Sequence, residues 1–210
     1  MRSIQSIAVF LIALPGIACG QSTDEGAAIK ALPKTQVGAD VIGTRLPLDA
    51  LRWLNTEGNT PPTLEGRITL VRWWTDSCPF CATSLPAIAE LEQAYSADGL
   101  QSIGVYHPKP PRAVDHESVL HAAKRIGYDG HIAVDEDWAV LRASYLDLGQ
   151  RPATSVTFLL DASGTIRYIH PGPELRPGEG DGESALQAQY DEMREAIEAL
   201  IDEEQSSTPE

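Results

Sequence analysis

The chain has 210 residues, 42% hydrophobic and 22% charged, which suits one domain of ordinary size with tails. Its 16 Lys and Arg stand against 30 Asp and Glu, a formal charge of −14. That balance argues against a nucleic-acid binder and against docking on anionic lipid, since both need basic patches. Three cysteines, at 19, 78 and 81, are too few for a disulfide-stapled scaffold, so their placement carries the information.

The first 20 residues hold one charge, Arg2, ahead of an apolar stretch from Ile4 to Ala18. A membrane span needs roughly 20 apolar residues, and this stretch is shorter. A basic start, a short apolar middle and small residues at the exit predict an export signal; a buried helix or a short anchor are the competing uses. Gly16-Ile17-Ala18-Cys19 is similar to a bacterial lipobox, in which Cys19 becomes the lipidated first residue, and cleavage after Gly20 is the alternative exit. The expected organisation is a signal over 1–19, a small, polar tether over 20–40, a folded domain over 41–204 and a disordered acidic tail over 205–210. Loss of residues 1–18 removes only Arg2, leaving 15 basic residues against 30 acidic ones, a charge of −15. Such a chain is suited to a basic partner surface, with the membrane reached through a lipid anchor only.

Within the domain, strand-like and helix-like segments alternate. Arg67 to Thr75 is β-branched and aromatic after a Gly66 turn and predicts a buried strand. Residues 79–96 place Leu85, Ile88, Leu91 and Tyr95 at helical spacing. Leu100 to Tyr106 predicts a second strand, ended by the proline-rich loop 107–111. A helix over 115–126 has Asp115 as its N-cap, and a short strand over 131–134 and a short helix over 137–145 follow. Strands over 155–160 and 165–170 flank the turn Asp161-Ala162-Ser163-Gly164 and predict a β-hairpin. After a Pro, Gly and acid-rich loop, residues 185–201 form a closing amphipathic helix. The expected architecture is α/β: a mixed sheet flanked by helices.

Cys78-Pro79-Phe80-Cys81 places a C-x-x-C between a buried strand and a helix. The thiolate is the form that attacks a disulfide, and a helix N-terminus stabilises it through unpaired N–H groups and the helix dipole. Cys78, outermost, is therefore the expected attacking thiol, and Cys81, nearly one turn in, the resolving one. Pro79 suits the first helical turn, where its missing N–H costs nothing. A structural disulfide across so tight a loop would constrain little chain. A zinc site needs four ligands, and no second C-x-x-C or H-x-x-x-H supplies them.

These segments resemble the thioredoxin-like superfamily, in particular its exported TlpA/ResA-type and redoxin-type (AhpC/TSA-like) members. The resemblance rests on Leu64 to Trp74 leading into the C-x-x-C and on Pro86, five residues past Cys81. Phe158 to Arg167 matches the hairpin, and Trp53-Leu54-Asn55 with Val134 to Trp138 matches a subgroup carrying an inserted segment between the two halves. It implies a thioredoxin fold with an inserted helix and strand, and a thiol–disulfide oxidoreductase acting on protein thiols or disulfides with a redox partner. No cofactor and no metal are implied. Trp74, Thr75, Pro79, Thr154 and Ser155 are the expected substrate surface.

Three features depart from the family, one being the dipeptide Pro79-Phe80, which is not thioredoxin's own and carries no reading of the direction of electron flow. The family's cis-proline lies six residues before the hairpin Asp, which here is Ser155, whereas Pro152 lies nine before it. Either Pro152 takes that role through a longer loop, or Ser155 or Thr154 faces the thiols. The buried acid six residues before the first cysteine is replaced by Arg72. Near the sulfurs it would hold them as thiolates; pointing to solvent it would not.

Two other functions use the same thiols. A peroxiredoxin-like peroxidase would carry P-x-x-x-T-x-x-C; Thr75 fits, but Val71 stands at the proline position. A copper-binding chaperone would use both thiols and a histidine, His107 being best placed. The basic run from His107 to Arg112 is a candidate partner contact or simply an exposed loop.

Overall fold

The computed structural model describes residues 37–207; the expected signal, Cys19, most of the expected tether and the last three residues lie outside them. Six strands form one mixed sheet. In chain order they are β1 (Arg52–Trp53), β2 (Ile68–Trp74), β3 (Leu100–Tyr106), β4 (His131–Val134), β5 (Thr157–Leu160) and β6 (Ile166–His170). The spatial order is β1-β4-β3-β2-β5-β6. Strands β2, β3 and β4 run parallel, and β1, β5 and β6 join antiparallel to their neighbours. The helices are α1 (Pro79–Tyr95), α2 (His116–Arg125), α3 (Ala139–Ser144) and α4 (Ser184–Ser207). This is the thioredoxin-type arrangement the resemblance implies.

Strand β2 lies in the middle of the sheet and is buried along its whole length, which its unbroken β-branched and aromatic run requires. Alternation sends Ile68, Leu70, Arg72 and Trp74 to one face and Val71 and Trp73 to the other. The first face packs on α1, α2 and α4 through residues such as Leu85, Ile88, Val119, Met193 and Ile197. The second packs on α3 and the N-terminal segment through Val41, Leu46, Val140, Tyr145 and Phe158. Gly104 faces the first set from β3. A Cβ there would lie 2.9 Å from the Tyr128 ring and 3.0 Å from Trp74 Nε1, so glycine makes room for both aromatics.

The predicted caps and turns are present. Asp115 accepts from the Ser118 N–H at 2.9 Å, capping α2. In the hairpin, Gly164 takes φ +80°, and Asp161 Oδ1 accepts from the N–H groups of Ser163 and Thr165. Residues 52–53, read only as part of a motif, form the edge strand β1. Asn55 locks that segment to β4, donating to Gly130 O and accepting from Ile132 N–H. Helix α4 runs through Ser207, past the expected domain end at 204.

Candidate active site

Strand β2 ends at Trp74, at the C-terminal end of the parallel strands, and five residues later α1 begins at Pro79. Cys78 is its N-cap, with extended backbone (φ −98°, ψ 114°), and Pro79 holds the first helical position. The Cys81 N–H donates to Cys78 O at 3.1 Å, closing the first turn and stacking the second thiol behind the first. Both cysteines are free thiols; Cys78 is half-buried and Cys81 is fully buried. Their ionisation differs accordingly. Burial opposes ionisation of Cys78, but hydrogen bonds from the Cys81 side chain and backbone, from Ser155, and the Lys109 charge outweigh it and hold its pKa below the ordinary thiol value. Burial dominates at Cys81 and raises its pKa, against the opposing attraction of Arg72. The outer thiol is thus the one more readily ionised and the inner one the one that holds its proton more tightly.

Ser155 takes the position facing the thiols. Its Oγ lies 3.3 Å from Cys81 Sγ, at the chain's entry into β5. Pro152 is exposed, and the cis peptide among the described residues is Lys109–Pro110 rather than the bond before Pro152. Of the two readings of this loop, the one with Ser155 at the thiols holds. Thr154, also half-buried, instead serves His107, whose Nε2 accepts from the Thr154 hydroxyl at 3.0 Å while Nδ1–H donates to Trp74 O at 2.9 Å. Burial first, and then the Lys109 charge, push the His107 pKa down to about 3, so the ring stays neutral. His107 therefore has no nitrogen free for copper, which corrects its expected role in the copper-chaperone reading.

Two expected surface residues need correction. Trp74 and Thr75 have 0% and 1% of their surface exposed, so neither is open to a substrate. Trp74 packs edge-on against Tyr106 in the core, its ring centroid 5.0 Å away, and its carbonyl anchors His107. The Thr75 hydroxyl donates to Asp76 Oδ1 (3.3 Å) rather than to Cys78, so it does not activate the thiol as a peroxidatic site would need. Both residues position the site from below. Pro79 and Phe80 do face solvent beside Cys78, Phe80 with 43% of its surface exposed.

Arg72 points inward. It is fully buried, and its guanidinium donates to Thr157 Oγ1 at 3.0 Å, Ser84 Oγ at 3.4 Å and the Pro173 carbonyl. Its three partners come from β5, α1 and the loop before α4, up to 101 residues away in the chain. Ser84, Thr157 and Pro173 are site-forming positions with no mark in the sequence. Nothing local marks them, because their role exists only once β2 and β5 pair as Arg72↔Thr157.

Comparison with known proteins follows the same lines. A family model described as Redoxin matches residues 43–188. Protein DipZ of Mycobacterium bovis is 34% identical over 135 residues, which cover 61% of this chain and 17% of DipZ. The chain thus spans 17% of the length of that relative. The thiol:disulfide interchange protein DsbE of Escherichia coli is 27% identical over 146 residues, covering 68% of this chain and 71% of DsbE. The solved structure of a thiol-disulfide isomerase from Corynebacterium glutamicum shares the fold, with a TM-score of 0.51 at 21% identity over 69% of this chain and 92% of that one.

Proposed function

The chain belongs to the redoxin family, and on that premise we propose that it is a thiol–disulfide oxidoreductase working on protein cysteines outside the cytoplasm. The observation that carries the reading is the asymmetry of one thiol pair. Cys78 sits at a helix N-terminus, partly open and inclined to ionise, with Cys81 protonated and buried directly behind it. In the forward direction the Cys78 thiolate attacks a substrate disulfide, one substrate sulfur leaves as a thiolate, and a mixed disulfide forms. Cys81 then loses its proton and attacks Cys78 Sγ, releasing the second substrate sulfur and closing the Cys78–Cys81 disulfide. Ser155 supports both steps because its hydroxyl, 3.3 Å from Cys81 Sγ, favours the ionised form of either sulfur. Pro79, Phe80, Thr154 and the Lys109 end of the basic loop form the rim on which an extended protein segment would lie. A redox partner resets the pair, and no cofactor enters the step.

Export is supported by the residues 1–20 pattern, with Cys19 as the proposed lipid anchor in the bacterial envelope. Among the described residues no helix is long and apolar enough to cross a membrane. The test is a pair of variants assayed on insulin disulfides. Cys78→Ser abolishes reduction, and Cys81→Ser still attacks but accumulates a mixed disulfide visible as a mass adduct. Full activity in Cys78→Ser overturns the assignment.

A further inference from the structure

Among the described residues, Arg72 is a buried cation with no anion of its own. Its three hydrogen-bond partners, two hydroxyls and a carbonyl, are all neutral, and its Nε finds no partner among the described residues. The carboxylate that acts on it most, Glu174, is already held by Arg176 at 2.8 Å and by the Thr83 hydroxyl at 2.9 Å. The two histidines that feel its field, His107 and His170, are buried and neutral, with pKa values of about 3 and about 4. What remains are the two sulfurs, which the partners of Arg72 flank: Ser84 lies three residues past Cys81 on α1, and Thr157 two past Ser155, whose Oγ is 3.3 Å from Cys81 Sγ. Burial works against the charge on Arg72, and negative charge on Cys81, then on Cys78, is the leading influence that favours it.

A buried charge is costly when left unpaired and much less so when its counter-ion is present. In the reduced protein a thiolate supplies that counter-ion. In the oxidised protein both sulfurs are neutral and the guanidinium stands alone in the core. We propose that Arg72 is a positioning residue for the redox couple, the fixed counter-ion of the reduced pair, which makes the Cys78–Cys81 disulfide more oxidising than it would be with a neutral side chain at this position. This rests on the oxidoreductase reading and extends it to the potential of the pair. A disulfide whose reduced form is selectively stabilised is the stronger oxidant. The position thus exchanges a proton-accepting acid for a static charge: the resolving thiol ionises beside a cation instead of handing its proton to a carboxylate.

The measurement is the equilibrium of the whole protein with glutathione at pH 7. Reduction breaks the Cys78–Cys81 S–S bond with two electrons from two glutathione thiols, which join as glutathione disulfide. Of their two protons, one goes to Cys81 and one to solvent when Cys78 is left as the thiolate. Arg72→Met is expected to lower the equilibrium constant for this reduction about tenfold, equivalent to about 30 mV toward a more reducing couple. The thiolate absorbance at 240 nm should titrate at higher pH in the same variant. Arg72→Lys, which keeps the charge and loses the fork, is expected to stay within about threefold of the native constant. If Arg72→Met does not fold, Thr157→Asp decides, because it gives Arg72 a carboxylate whatever the state of the thiols; it should lower the constant in the same direction. A folded Arg72→Met or Thr157→Asp protein within twofold of native overturns the proposal, and so do equal shifts in the Met and Lys variants. A native pair that never equilibrates with glutathione overturns the oxidoreductase reading itself, and this inference with it.

Discussion

The two faces of β2 are equally buried but differ in how their polar atoms are satisfied. On the face toward α3, Trp73 donates its indole N–H to Asp135 at 3.2 Å, and the same carboxylate accepts the N–H groups of Val140 and Leu141. Phe158 packs edge-on against Trp73 and Tyr145, and the Tyr145 hydroxyl is the exception on this face, without a hydrogen-bond partner among the described residues. On the face toward α1, Arg72 Nε, Trp74 Nε1 and His170 Nδ1 all lack one among the described residues. A protein optimised only for stability does not gather unpaired buried polar atoms on one side of its central strand. They lie on the side that carries the thiols, where a charge without its own anion can bias the chemistry. One face holds the fold together and the other sustains a site at some cost in stability.

Phe158→Ala tests the first half of that contrast and has the largest expected effect. The ring is fully buried between two aromatics, so its loss should cost about 3–5 kcal/mol in urea unfolding. The pKa of Cys78 and the glutathione equilibrium should stay at native values. A moved thiol pKa in this variant would break the separation of the two faces.

Acid unfolding tests the other side. Burial, together with the nearby Lys109 and Arg72 charges, depresses His107 and His170 from 6.5 to about 3 and about 4. Between pH 6.5 and about 4 the unfolded chain binds protons that the native state refuses. The stability these rings contribute is therefore complete above pH 6.5 and lost as pH falls, at up to about 2.7 kcal/mol per unit for the two together. Urea midpoints from pH 7.5 to 5 report it, and His170→Gln should remove about half of the slope. An unchanged slope would mean that His170 is not held neutral by its surroundings.

Ser155→Ala has the smallest effect on the fold and the most local one on the chemistry. It removes one hydrogen bond to a thiol, worth about 1 kcal/mol. Because that hydroxyl favours both thiolates, the 240 nm titration of Cys78 should move to higher pH while the urea midpoint barely changes. A titration that stays in place would remove Ser155 from the site and leave Arg72 and Lys109 as the groups acting on the sulfurs.

Much of this molecule is legible along the chain. The C-x-x-C between a strand and a proline-started helix identifies the chemistry, because the ionisation of Cys78 depends on groups within one helical turn as well as on distant ones. Strands at 100–106 and 131–134, the Asp115 cap and the Asp161–Gly164 turn follow from periodicity and turn chemistry, which act over a few residues. The edge strand β1 does not, since two residues become a strand only against β4. The expectation that Trp74 and Thr75 face a substrate fails for a related reason. Being next to the motif in sequence says nothing about depth, and the sheet continues under them.

The thiol pair between strand and helix, the order of the elements around it, and a cation where the family has an acid can all be read along the chain. That Ser155 rather than Pro152 meets the thiols, that both nitrogens of His107 are already engaged, and that Arg72 turns inward emerge only once the chain is folded. Alternation assigns Arg72 to a face of its strand, but not what covers that face. The cover comes from Ser84, Thr157 and Pro173, 12, 85 and 101 residues away, and is set when the sheet and helices close around the strand. An unpaired charge is a property of that enclosure, because desolvation and the absence of a carboxylate arise only once distant segments have excluded water from it.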